Sequence, residues 1–196
     1  MTHQRPALFL DRDGVINIDH GYVHQPEHFH FIPGIFELVT AANRHGFRVV
    51  VITNQAGIAR GYYTQESFFH LTHWMLDKFN DAGACIDAVY HCPHHPTEGI
   101  GVAKQDCHCR KPRPGLLLQA ITDLAIAVHR SILIGDKPSD LVAGQRAGVP
   151  NLFLFNHEHL PVKSVDLPDS SIAITELSDP ALFRLICGHH SLRSHL

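Results

Sequence analysis

Asp11 and Asp13 stand two residues apart in the segment Asp11-Arg12-Asp13-Gly14, directly after the apolar run Ala7-Leu8-Phe9-Leu10. At a strand end both carboxylates can face one site, while Gly14 permits a sharp exit of the chain. Phosphoryl transfer uses such a pair: one carboxylate attacks phosphorus, and the other serves as general acid and then as general base. Alone, an Asp-x-Asp-Gly segment is also an ordinary solvated turn. Three further segments shift that balance. Thr53-Asn54 follows the run Arg48 to Ile52 and offers a hydroxyl and an amide that can donate to phosphoryl oxygens. Arg110-Lys111-Pro112 supplies two cations. Gly135-Asp136-Lys137-Pro138-Ser139-Asp140 follows the run Ser131 to Ile134. Asp136 adds a carboxylate where a divalent cation could shield an incoming phosphate from Asp11 and Asp13. Each segment by itself reads as a helix cap or a solvated turn. Together, at the ends of consecutive strand–helix units, they point to one phosphoryl site.

A second constellation has the chemistry of a metal centre. Cys92-Pro93-His94 and Cys107-His108-Cys109 place Cys-x-His and Cys-x-Cys pairs twelve residues apart. Three thiolates and one imidazole form a tetrahedral donor set for zinc, and a closed set leaves no position for water, so the site reads as structural. By spacing, His91, His95 and His108 compete as ligands. The intervening stretch Pro96 to Gly101 is too poor in apolar residues to order itself by packing, and a metal would supply that order. The cluster also precedes Arg110-Lys111, fixing where two cations meet a substrate. Cys85 and Cys187 lack partners by spacing and are expected as small buried or half-buried residues. An odd count of five cysteines, clustered with histidine, fits a reducing cytoplasm better than a disulfide framework.

The elements that must position these groups alternate. Strands are expected at Ala7–Leu10, Arg48–Ile52, Ile86–Tyr90, Ser131–Ile134 and Asn151–Phe155. Between them lie helices: one with Ile35, Leu38, Val39 and Ala42 on its apolar face, closing at Gly46, and one capped by Thr64 that buries Phe68, Leu71, Met75, Leu76 and Phe79. Others follow Pro114, with the stripe Leu117, Leu118, Ile121 and Leu124, and run from Pro138 to Ala147. A late strand at Ile172–Thr175 and a helix at Pro180–Ile186 complete the pattern. Such alternation predicts the α/β class with a doubly wound parallel sheet, whose ligands collect at the carboxyl ends of the strands. Neither the span from Gly14 to Pro33 nor the one after Ile58 has room for an inserted domain, so no large cap domain is expected and the site should be open.

The chain has 196 residues, room for a single domain spanning 1–196, with the strand–helix alternation over about 7–155 and an extension over 156–196. Lys plus Arg number 16 against 19 Asp plus Glu, and without a basic surplus a nucleic-acid partner is not expected. No apolar run reaches the ~18 residues of a membrane span, and the polar start Met1 to Pro6 does not read as a signal peptide, so no membrane partner and a cytoplasmic place are expected. A monomer is expected.

Asp11-Arg12-Asp13-Gly14-Val15, Thr53, Lys111 and Gly135-Asp136 resemble, in order and spacing, the four motifs of the haloacid dehalogenase superfamily over residues 7–155. The resemblance implies Asp11 as a nucleophile that becomes an aspartyl-phosphate, Asp13 as acid/base, and Thr53 and Lys111 as holders of the phosphoryl group. It implies Mg²⁺ bound by Asp136, the Asp11 side chain and the Asp13 backbone carbonyl, with Asp140 as a partner of that site. The Cys92, His94, Cys107, Cys109 pattern is similar to the Zn²⁺ site of the histidinol-phosphate and heptose-bisphosphate phosphatase group. Asp19-His20-Gly21-Tyr22-Val23 and the stretch Thr53 to Gly61 are similar to the heptose enzymes. Carried over, Asp19, His20, Gly21, Tyr22, Thr53, Asn54, Gln55, Ala56, Arg110, Lys111 and Lys137 line the substrate site. The implied substrate is a small sugar phosphate, a heptose 1,7-bisphosphate losing its 7-phosphate in the supply of lipopolysaccharide core. Histidinol phosphate is the alternative substrate, and a phospho-acceptor switch domain the non-enzymatic alternative. The stretch His189 to Leu196 matches no pattern.

Overall fold

The computed structural model describes residues 4–157 and 167–188. The unassigned stretch His189 to Leu196, and part of the extension expected after residue 155, lie outside them. The described elements are β1 (Ala7–Leu10), α1 (Ile35–Arg44), β2 (Arg48–Asn54), α2 (Ala56–Ala59), α3 (Gln65–Asp81), β3 (Ala88–Cys92), α4 (Gly115–Asp123), β4 (Ile132–Gly135), α5 (Pro138–Arg146), β5 (Asn151–Phe155), β6 (Ser171–Ile174) and α6 (Pro180–Cys187). Six parallel strands form one sheet in the order β3-β2-β1-β4-β5-β6. The order reverses at β1, between β2 and β4, where an open α/β sheet leaves its crevice.

Strand periodicity divides the core into two layers. Leu8, Leu10, Val49 and Val51 point to one side, where they pack with residues of α1, α3 and α6. Ala7, Phe9, Val50 and Ile52 point to the other, against α4 and α5. Every residue of β1 is buried, as a strand covered on both faces requires. Full burial of a side chain such as Phe9 contributes roughly 1.5–3 kcal/mol. Thr64 caps α3 as expected, its hydroxyl oxygen accepting from the Ser67 amide. Between β1 and α1 the chain holds only a short 3-10 turn, Pro26–His28, so no cap domain is inserted there. Among the described residues, no helix is long and apolar enough to cross a membrane.

Several local expectations are corrected. The third strand runs two residues later than its apolar run suggested, because register with β2 carries it on through Thr53↔His91 and Asn54↔Cys92. The buried face of α4 is Leu116, Leu117 and Ala120, which leaves Leu118 exposed. Cys85 and Cys187 are both exposed. The side chain of Asn43 ties down both the amide and the carbonyl of Cys85, leaving its thiol outward. In α6, Leu182 and Ile186 take the buried face, and Cys187 falls beside it.

Candidate active site and metal centre

The carboxyl ends of β1, β2 and β4 border a cleft of about 600 Å³. The Asp11 amide donates to the Ile134 carbonyl, so β1–β4 pairing continues into the first site residue. The chain then turns at Gly14, whose φ is +91° and where a Cβ would lie 2.4 Å from an Asp136 carboxylate oxygen. Only glycine allows the β1 and β4 ends to approach so closely.

Lys111 is the electrostatic hub. Its buried ammonium contacts Asp11 Oδ1 at 2.9 Å and Asp140 Oδ1 at 2.7 Å, and donates to the Ile52 carbonyl at 2.7 Å. Burial alone would lower its pKa, but Asp11 and Asp140 drive it above the usual lysine value. Asn54 locks the backbone of Lys111 from both sides, accepting from its amide and donating to its carbonyl. Asp140 has two duties: Oδ2 accepts from the Lys137 amide at the start of α5, and Oδ1 holds Lys111. It reaches Lys111 because Gly135 has no Cβ; one would sit 2.2 Å from that of Asp140.

Asp13 is held separately from that hub. Arg12 donates to both its carboxylate oxygens, Asn17 to Oδ1 and Gln55 to Oδ2. Burial works to raise its pKa, yet the Arg12 guanidinium and these donors keep it below the ordinary value. Gln55 also donates to Thr53 Oγ1 at 2.8 Å and accepts from the Tyr63 hydroxyl at 2.5 Å.

Oxygens of Asp11, Asp136 and Asp140 all lie within 4.8 Å of one another. Burial, with the neighbouring carboxylates, pushes Asp136 up to about 8. Burial also pushes Asp11 up to about 6, against the pull of Lys111. Asp136 Oδ1 is buried without a hydrogen-bond partner. Three crowded carboxylates and one orphaned oxygen fit a divalent cation with oxygen ligands.

The substrate-facing residues are distributed unevenly. Asp19, Gly21, Tyr22, Thr53, Asn54, Gln55, Ala56, Arg110, Lys111 and Lys137 line the cleft. His20 does not; it packs edge-on against His30. Asp136 borders an adjoining depression with Gly14 and Lys137. Lys137 ties this side together, bridging Asp19 Oδ2 at 3.1 Å and Asp136 Oδ2 at 3.2 Å. Tyr22 has φ of 54°, a left-handed conformation that costs a bulky residue roughly 1–3 kcal/mol. Two contributors went unassigned in sequence. Arg12 carried a signal, a cation between two carboxylates; Tyr63 carried none, since its contact with Gln55 depends on the path of α2.

Beyond β3, the Cys92, Cys107 and Cys109 sulfurs are 3.1–3.4 Å apart. His94 Nδ1 lies 3.5 Å from Cys109 Sγ and 3.9 Å from Cys92 Sγ. The four donors form a closed cluster suited to a tetrahedral metal ion. None of the rival histidines His91, His95 and His108 joins that group: His95 Nδ1 accepts from the Glu98 amide, His91 packs on Phe68 and Phe69, and His108 is exposed. Arg110, the residue directly after Cys109, donates to the His94 carbonyl, tying the cluster to the cleft.

Comparison with known proteins agrees with this geometry. Residues 108–156 match a family model described as HAD-hydrolase-like. The chain is 51% identical over 145 residues to the D-glycero-beta-D-manno-heptose-1,7-bisphosphate 7-phosphatase of Vibrio cholerae, covering 74% of this chain and 78% of that one. It is 53% identical over 148 residues to the corresponding alpha enzyme of Burkholderia mallei, covering 76% and 78%. The chain belongs to the heptose-1,7-bisphosphate 7-phosphatase family. A solved relative of this phosphatase, the D,D-heptose 1,7-bisphosphate phosphatase of B. bronchiseptica complexed with magnesium and phosphate, superposes with a TM-score of 0.80. That structure is 26% identical and covers 93% of this chain and 99% of its own.

Proposed function

We propose that this phosphatase removes the 7-phosphate of D-glycero-D-manno-heptose 1,7-bisphosphate, leaves the 1-phosphate in place, and supplies heptose for lipopolysaccharide core. The observation that carries the reading is Lys111 gripping Asp11 and Asp140 beside Thr53, at the point where the strand order reverses. In the first step Asp11 attacks phosphorus in line and Asp13 gives a proton to the departing sugar oxygen. In the second, Asp13 takes a proton from water, which breaks the aspartyl-phosphate and restores both carboxyl groups. The donors around Asp13 favour its base form, the one the second step uses. Thr53 Oγ1 accepts from Gln55, leaving its own proton for a phosphoryl oxygen, while the Lys111 ammonium beside Asp11 would offset that oxygen's charge.

Asp11, Asp136 and the Asp13 carbonyl would hold Mg²⁺, while Asp140, engaged through both oxygens, orients Lys111. The cation, when bound, would neutralise phosphoryl charge. Cys92, His94, Cys107 and Cys109 would hold Zn²⁺ as a structural staple. Turnover measured side by side on both anomers of the heptose bisphosphate and on histidinol phosphate tests the reading. A heptose bisphosphate anomer should be hydrolysed far faster than histidinol phosphate; equal or reversed rates would replace the substrate.

A further inference from the structure

Two loops that carry separate sequence patterns meet on one side chain. Arg60 closes α2; its guanidinium forms an ion pair with Glu98 of the metal loop and lies over the Tyr22 ring, 5.6 Å from its centre. The Ile100 amide donates to the Ala59 carbonyl at 2.8 Å, so the metal loop is fastened to α2 through main chain as well. Tyr22 lines the cleft with its backbone in the left-handed region. Such a conformation persists where neighbours over-determine it. The neighbours here include His24, whose Nδ1 lies 2.8 Å from the Tyr22 carbonyl oxygen, Arg60 over the ring, and Tyr62, whose ring meets that of Tyr22 edge-on at 4.6 Å. Arg60 and Glu98 are not among the residues that line the cleft.

We propose that Arg60 is a positioning residue for substrate selection: held by Glu98, it latches Tyr22 in place, so the metal loop sets the wall that the sugar meets. The inference rests on the sugar-bisphosphate reading above. Its test compares Arg60→Ala, Glu98→Ala and the double variant on the heptose bisphosphate and on a small aryl phosphate. In each single variant KM for the bisphosphate should rise about threefold to tenfold, the span of one surface ion pair combined with one exposed cation–π contact. The double variant should be no worse than Arg60→Ala, because both changes open the same latch. Bisphosphate kcat, aryl phosphate turnover and thermal midpoint should hold. If Arg60 instead gripped the non-reacting phosphate directly, Glu98→Ala would free it and leave KM unchanged or lower. That result overturns the latch, as does an equal loss on both substrates.

Hydrogen exchange over residues 19–24, read without substrate, separates this inference from the substrate assignment. The latch predicts faster exchange in both single variants, and unchanged exchange overturns it. Faster exchange in a protein that ignores heptose bisphosphate would keep the latch and refute the substrate.

Discussion

Asp13 and Arg110 are each held by groups outside the cluster of Asp11, Lys111 and Asp140. Asp13 is wrapped by Arg12, Asn17 and Gln55, so its carboxyl is oriented before any substrate arrives. Asp13→Asn should therefore lower kcat on an alkyl phosphate by ~10²–10⁴-fold, the usual contribution of a general acid/base. A rate near wild type would remove Asp13 from the proton transfers. Arg110 reaches the cleft with its guanidinium braced on the His94 carbonyl, and Lys111 is already committed to Asp11 and Asp140. Under the proposed function the second, non-reacting phosphate would fall to Arg110, whose fork suits phosphate oxygens. Arg110→Ala should cut kcat/KM for the bisphosphate by at least about tenfold, in line with the ~1.5–3 kcal/mol of a hydrogen bond to a charged group. A small monophosphate should be nearly unaffected; equal losses would place Arg110 in the common chemistry. At this scale the sequence was legible where residue type and strand end coincide, as for Asp11, Thr53 and Asp136. The packing of Tyr63 on Gln55 and of His20 on His30 was not legible, because a loop's side-chain directions are set by tertiary neighbours.

At the scale of elements, the alternation of strand and helix was readable because each apolar run has its own period and Asp11, Thr53 and Asp136 each stand at the end of one. Register was not readable: pairing with β2 extends β3 as far as Cys92 and so makes the first metal-centre residue part of the sheet. That placement gives the loop from Pro93 to Asp106 a fixed origin, and Cys107 and Cys109 close it. The intervening residues are largely exposed, with Val102 at 97%, so burial does little to hold them. Protein purified without added zinc should carry about one equivalent of the metal, as one closed four-ligand site requires. Chelation should leave the sheet folded and speed hydrogen exchange across residues 93–106. Metal-free protein with an unchanged loop would contradict the staple. Cys85, in the loop before β3, and Cys187, at the end of α6, show the converse limit, since thiol type carries no information about which way a side chain faces.

At the scale of the whole molecule, the two core layers lie on opposite faces of the sheet, and β1 contributes to both. Phe9→Ala should cost about 3–5 kcal/mol in denaturant unfolding, a large part of the ~5–15 kcal/mol that a domain commands. A cost under about 1 kcal/mol, the range of surface changes, would mean that the β1 layer is not the keystone. The same sheet gathers Asp11 from the end of β1, Thr53 from β2 and Asp136 from the end of β4, with Lys111 from the loop before α4, so the proposed covalent phosphoryl transfer would depend on the assembled fold. Its most direct test is to trap the intermediate. An aryloxide leaves without a proton, so an activated aryl phosphate should phosphorylate the Asp13→Asn variant, while hydrolysis, deprived of its base, lags behind. Acid quenching followed by peptide mass mapping should then find one phosphoryl group on Asp11, absent when Asp11→Asn is added. Release of the aryl alcohol with no phosphoryl group on Asp11, or with one on another residue, would contradict the account.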